Sequence, residues 1–175
     1  MKKATHIIEK VADAEVIISM NNVVDRMKRI PVVEQEASVR AKNFKEVCLG
    51  YDEERAFNEA SRCLGCKNPK CVSGCPVSIN IPAFISELKE KNIEGAAKEI
   101  AKYSALPAVC GRVCPQESQC EGKCILGIKG EPVAIGKLEK FTADWARKNN
   151  IDLSEKEDSK GKKIAVIGSG PAGLT

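Results

Sequence analysis

The chain has 175 residues and a mass of 19.0 kDa, room for one domain or for one domain plus a fragment. Its 43% hydrophobic and 30% charged residues exclude disorder by lack of apolar content, and its seven aromatic residues exclude a large aromatic core. A net charge of +4 with both signs mixed along the chain excludes a dedicated nucleic-acid surface.

Met1-Lys2-Lys3 could begin a signal peptide, but Ile7–Glu15 is charged every few residues and has no hydrophobic region of that kind. No run approaches the ~18 apolar residues of a membrane span. A cytoplasmic chain without a membrane partner is expected, and in that compartment thiols stay reduced. His6, the single histidine, lies in this charged stretch and reads as solvated. Residues 1–50 read as a helical or irregular lead-in with a break at Pro31. Asp52-Glu53-Glu54 places acids at the positive end of a helix that runs to Ala60 and delivers the chain to Cys63.

Residues 63–80 read as a cysteine-rich loop. Pro82 suits the first turn of the next helix, Phe84–Leu88, because proline lacks the amide that would be unsatisfied there. A short helix from about Ile93 to Tyr103 buries Ala96, Ala97, Ile100 and Ala101. A second cysteine-rich loop spans 107–130. Pro132 then begins a helix to about Asn149, on which Ala134, Leu138, Phe141 and Trp145 form an apolar stripe. Residues 150–163 are polar and aperiodic, a linker. Ile164–Ile167 reads as a buried strand.

Nine cysteines is an odd number, ill suited to a closed disulfide framework, and eight of them fall between Cys63 and Cys124. The first group is Cys63-x2-Cys66-x4-Cys71-x3-Cys75-Pro76; the second is Cys110-x3-Cys114-Pro115-x4-Cys120-x3-Cys124. Short loops bring thiolates together from several directions at small closure cost, as a cubane needs. Gly65, Gly74, Gly111 and Gly122 would allow tight turns between them. Both Cys-Pro pairs resemble the bacterial ferredoxin run, in which such a cysteine ligates the other of two clusters. Here the spacing between the second and third cysteines is four residues instead of two. Zinc is the alternative, since Cys-x2-Cys is its common half-site; disulfides or redox thiols come last. Cys48 has no partner at ligand spacing and reads as a small buried hydrophobe.

Gly168-x-Gly170-x2-Gly173 follows the apolar run as a dinucleotide site requires: turn, close approach to a pyrophosphate, and helix–strand packing. The second strand and the acidic residue ~20 positions on do not follow before Thr175. The expectation is therefore a longer flavoprotein or nicotinamide enzyme cut just inside its next domain, unable in this form to bind FAD or NAD(P)H.

Arg62-Cys63-Leu64-x-Cys66, Asn68-Pro69-x-Cys71, Cys75-Pro76-Val77, Ile81-Pro82-Ala83-Phe84, Cys110-Gly111-Arg112-Val113-Cys114-Pro115 and Cys120-Glu121-Gly122-x-Cys124 carry a resemblance. Val133-Ala134-Ile135-Gly136 and the terminal glycine motif extend it. Together they resemble the N-terminal iron–sulfur domain of the glutamate synthase small (beta) subunit. The same domain occurs in dihydropyrimidine dehydrogenase and in the large subunit of the NADH-dependent ferredoxin:NADP oxidoreductase. The resemblance runs from about residue 30 to the end.

It implies a mainly α, ferredoxin-like helical domain holding two 4Fe–4S clusters over residues 31–149. An N-terminal extension (1–30) precedes it; a linker (150–163) and the first strand of a Rossmann-type α/β domain (164–175) follow. In such enzymes NADPH reduces an FAD held by the later domains, and the clusters pass electrons singly to a partner flavin in a large subunit. By position, one cluster takes Cys63, Cys66, Cys71 and Cys124. The other takes Cys75, Cys114 and Cys120, with a fourth ligand matching Glu139 and with Cys110 as its rival. Periodicity alone makes Glu139 a solvated residue, roughly 100° round the helix from Leu138. No catalytic acid, base or nucleophile is identified in this stretch. A zinc-stabilised interaction module remains the alternative reading.

Overall fold

The computed structural model describes residues 25–154 and 158–174, so His6 and most of the expected N-terminal extension lie outside the described residues. The described chain is mainly helical. Its first regular element is a two-stranded antiparallel sheet, β1 (Val33–Glu34) and β2 (Cys48–Gly50), where the sequence suggests helix or irregular chain. Val33 faces Gly50 and Glu34 faces Cys48, with an irregularity between them. Between the strands lies one helical turn, α1 (Ala37–Arg40).

α2 (Glu53–Ser61) begins where the acids predict, with the Asp52 side chain accepting from the Arg55 amide at 2.8 Å. α4 (Ile81–Lys89) has Pro82 in its first turn. α5 (Ile93–Ala101) is capped by Asn92, whose side chain accepts from the Gly95 amide at 3.0 Å. The cysteine segments are less irregular than expected. The first contains the turn α3 (Lys70–Ser73); the second contains α6 (Pro107–Val113) and the 3₁₀ turns Glu121–Lys123 and Ile125–Ile128.

α7 (Ile135–Lys148) starts three residues later than Pro132 suggests. The cause is tertiary: the Pro132 carbonyl accepts from Arg29 Nε at 2.7 Å, and the Ala134 amide donates to Glu59 Oε1 at 2.8 Å. This stretch is therefore held extended against the core. α4 packs on α5 and α2, and α7 packs on α5 and most extensively on α6. Phe84, Ile85, Leu88, Ile100 and Leu138 form the centre of the core. The stripe predicted on α7 is present, with Ala134, Leu138 and Phe141 buried and Trp145 half-buried.

The expected strand Ile164–Ile167 is a correction. Ile164 is 87% and Ile167 97% exposed, and the run pairs with no other strand among the described residues. A strand exists by its ladder partners, and no described segment supplies one. The turn after it is formed: Gly168 has φ +127° and leads into α8 (Pro171–Leu174). No helix among the described residues is long and apolar enough to cross a membrane.

Candidate metal centre

α2 ends on Arg62, which is 0% exposed, and the next residue is Cys63. Gly65, at φ +61°, turns the chain towards Cys66; the turn α3 then carries Cys71 and releases the chain at Cys75. From the other end of the sequence, the two 3₁₀ turns meet at Cys124. Cys63, Cys66, Cys71 and Cys124 line one cavity of about 360 Å³, walled by Ile81, Ile85 and Leu126. Burial pushes the Cys63 thiol up against the opposing pull of the Gly65 amide. It raises Cys71 to about 11, helped by the facing Cys63 and Cys124.

A second set gathers around α6 and the start of α7. Burial raises Cys114 to about 11, and Cys110, Glu139 and Cys75 add to the rise from close by. Cys120 is raised to about 12, first by burial and then by Glu121, with Cys75 and Glu139 again in range. Cys75, Cys110, Cys114, Cys120 and Glu139 thus share one neighbourhood. Glu139 is 7% exposed, against the solvated position that its helical phase suggests. The first turns of α7 are covered on more than one side, so Gly136, Glu139 and Lys140 are buried together with Leu138. Desolvation alone raises the Glu139 carboxyl to about 7, and its Oε1 is buried without a hydrogen-bond partner.

Two close approaches bring the segments together. A Cβ on Gly74 would stand 2.7 Å from the Gln119 carbonyl oxygen, so the end of the first segment presses on the residue before Cys120. A Cβ on Gly111 would stand 2.7 Å from the Lys140 amide nitrogen and 2.9 Å from the Gly136 oxygen, so α6 lies directly against α7. Gly74 and Gly111 therefore serve close packing, and neither takes the left-handed backbone of the tight turns expected there.

Charged residues that sequence reasoning missed fix the frame. Glu59 and Arg62, both 0% exposed, pair at 2.6 Å. Arg62 Nη2 also donates to the Glu131 carbonyl at 2.5 Å, and Glu59 Oε2 accepts from the Ile30 amide at 2.8 Å. Arg29 pairs with Glu121 at 2.5 Å, and Glu121 Oε1 accepts from the Gly136 amide at 3.0 Å. Residues 26–30, ahead of the boundary expected at 30, are thereby tied to the helical unit. The traceable signal is adjacency: Arg62 precedes Cys63 and Glu121 follows Cys120.

The donors surround spaces and not points: among the described residues, no three His, Cys, Asp or Glu side chains close on a single ion. Four thiols around a cavity and an orphaned buried carboxylate oxygen fit polynuclear sulfide clusters, which are wider than one ion and take thiolate and oxygen donors. Cys48 stands apart, half-buried on β2, its carbonyl accepting from Lys140 Nζ at 2.6 Å. Gly168, Gly170 and Gly173 are exposed and lie at the far end of the sequence from this centre.

Residues 40–151 match the family described as dihydropyrimidine dehydrogenase domain II, 4Fe-4S cluster. The glutamate synthase (NADPH) small chain of Halomonas elongata is 44% identical over 140 residues, which are 79% of this chain and 29% of the relative. That of Escherichia coli is 38% identical over 150 residues, 85% of this chain and 32% of the relative. The E. coli NAD-dependent dihydropyrimidine dehydrogenase subunit PreT is 38% identical over 129 residues, 74% of this chain and 31% of the relative. The chain spans about a third of the length of these relatives. The family match contains both cysteine groups and all of α7. The chain therefore belongs to the dihydropyrimidine dehydrogenase domain II family of 4Fe–4S domains, the family of the glutamate synthase small-subunit N-terminal domain.

Proposed function

We propose that this domain relays electrons within an NAD(P)H-dependent flavin oxidoreductase of glutamate synthase small-subunit type. It would hold two 4Fe–4S clusters. Cys63, Cys66, Cys71 and Cys124 would ligate the first; Cys75, Cys114, Cys120 and Glu139 would ligate the second, with Cys110 as the alternative to Glu139. The observation that carries the reading is the cavity on which four thiols from two separate chain segments converge. The orphaned Oε1 of Glu139 supports the second ligand set, because a buried carboxylate without a partner is costly until something ligates it.

When bound, such clusters accept and release one electron at a time with little rearrangement. The residues present the conditions for that. Ile81, Ile85 and Leu126 give the first site apolar walls. Burial holds Cys71, Cys114 and Cys120 protonated in the metal-free chain, so ligation releases protons and loading favours higher pH. In the whole protein, Gly168, Gly170 and Gly173 would face the pyrophosphate of FAD or NADPH. Further partners would be the remainder of the flavoprotein chain and a large flavin-containing subunit, in the cytoplasm.

Iron and acid-labile sulfide analysis of anaerobically purified protein tests the reading. Both elements and a broad visible absorption that a reductant bleaches are expected. A colourless, compactly folded, zinc-loaded protein would overturn it in favour of a structural module.

A further inference from the structure

The two cysteine sets differ in the lysines that lie beside them. Lys89, in the last turn of α4, donates from Nζ to the Cys63 carbonyl at 2.6 Å, which holds its ammonium beside the backbone of the first cysteine of the first site. Lys70 and Lys123 line the same cavity. Among the described residues none of these three lysines has a recorded ion pair. Beside the second set stand Glu139, a candidate ligand that would bring the same charge as a thiolate, and Glu121, whose charge is balanced by a pair with Arg29. Of the cations on its own elements, Arg112 pairs with Glu46 and Asp144 and Lys140 pairs with Glu46, while Lys137 lies on α7 two residues before Glu139.

Reducing a cluster by one electron adds one negative charge to its site. A nearby ammonium stabilises that charge and a nearby carboxylate opposes it, so cations raise a reduction potential and anions lower it. We infer that the two sites stand at unequal potentials, the Cys63–Cys66–Cys71–Cys124 site the higher, and that Lys89 is a positioning residue that sets much of the difference. This rests on the two-cluster reading above. One electron leaving the second site and arriving at the first then moves downhill, oxidising one cluster as it reduces the other. The first site is also the one whose rim is open and apolar, with Leu64, Ile125 and Ile128 exposed. Lys89 is itself exposed, so its influence weakens as salt screens it.

The experiment is an anaerobic redox titration of the iron-loaded full chain, followed by electron paramagnetic resonance, for the wild type, Lys89→Gln, Lys89→Arg and Lys123→Gln. Glu139→Ala, or Cys110→Ser where Glu139→Ala leaves both spectra unchanged, labels the wave of the second site through its altered spectrum. Two waves are expected, with the unlabelled one higher. Lys89→Gln should lower that upper wave at unchanged iron content and leave the other in place, Lys89→Arg should restore it, and added salt should shrink the shift. Lys123→Gln should lower the same wave without touching the contact to Cys63. No shift at full iron content, or a shift of the labelled wave, would overturn the inference while leaving the clusters established. So would loss of iron in Lys89→Gln combined with an unmoved wave in Lys123→Gln, which would make Lys89 a structural tether. A wild-type chain that takes up no iron would instead overturn the two-cluster reading beneath it.

Discussion

A carboxyl oxygen removed from water and given no donor costs about 1–3 kcal/mol or more, and Glu139 carries one in the middle of a well-packed helix. A merely structural site would favour an apolar residue there, so the cost points to a ligand role. Glu139→Ala should change the spectrum of one cluster and leave the other intact, read by visible absorption and paramagnetic resonance on the reconstituted chain. If both spectra are unchanged, Cys110 completes the second set. Helical phase could not reveal this residue, because it assumes one buried face and α7 is buried on more than one at its start. Glu59 and Arg62 escaped the sequence for a related reason. Charged side chains are almost never fully buried unless paired, and their further partners, Ile30, Glu131 and Ala134, lie far away along the chain. The cysteines were legible because their chemistry, unlike a packing role, is written in residue type and spacing.

Among the elements, α2, α4 and α5 could be read locally, since Asp52, Pro82 and Asn92 begin them by rules that involve only neighbouring residues. The β1–β2 pair could not, because strands of two and three residues owe their existence to a partner and not to a pattern. Ile164–Ile167 shows the converse, an apolar run without a described ladder. The contact of α6 with α7 belongs to the same non-local class, and Gly111 is its narrowest point. Gly111→Val would drive a branched side chain into backbone atoms of Lys140 and Gly136, which cannot swing away as a side chain can. Overpacking of this kind costs about 1–3 kcal/mol. The variant should lose that much stability in urea, read as a lower midpoint at unchanged slope, and its second cluster should be lost at lower denaturant than the first. Equal loss of both clusters, or an unchanged midpoint, would show that α6 can shift without consequence for Cys110 and Cys114.

At the scale of the molecule, two kinds of cohesion are separable. Phe84, Ile85, Leu88, Ile100 and Leu138 join α4, α5 and α7 through apolar contacts, with Cys120 in the same cluster and Cys63, Cys71, Cys75 and Cys124 packed against it. The segments 63–80 and 107–130 reach that core through Ile79, Leu126 and the packing of α6 on α7, while their cysteine turns meet at Gly74 and Gln119 and around spaces that thiols surround. Without clusters those spaces are lined by thiols that gain little from facing one another, whereas ligation would tie both segments through shared metal and sulfide. Removing iron should therefore open the cysteine segments and spare the helical core, a local and not a global unfolding. Trypsin provides the measurement, since Lys67, Lys70, Lys123 and Lys129 are exposed on those segments. The chelated protein should be cut there first and leave a protected piece containing α4 and α5, while the loaded protein resists at the same sites. Equal resistance with and without iron would mean that the apolar core and the Glu59–Arg62 and Arg29–Glu121 pairs hold the cysteine segments closed by themselves. The clusters would then be guests in a finished frame instead of part of it.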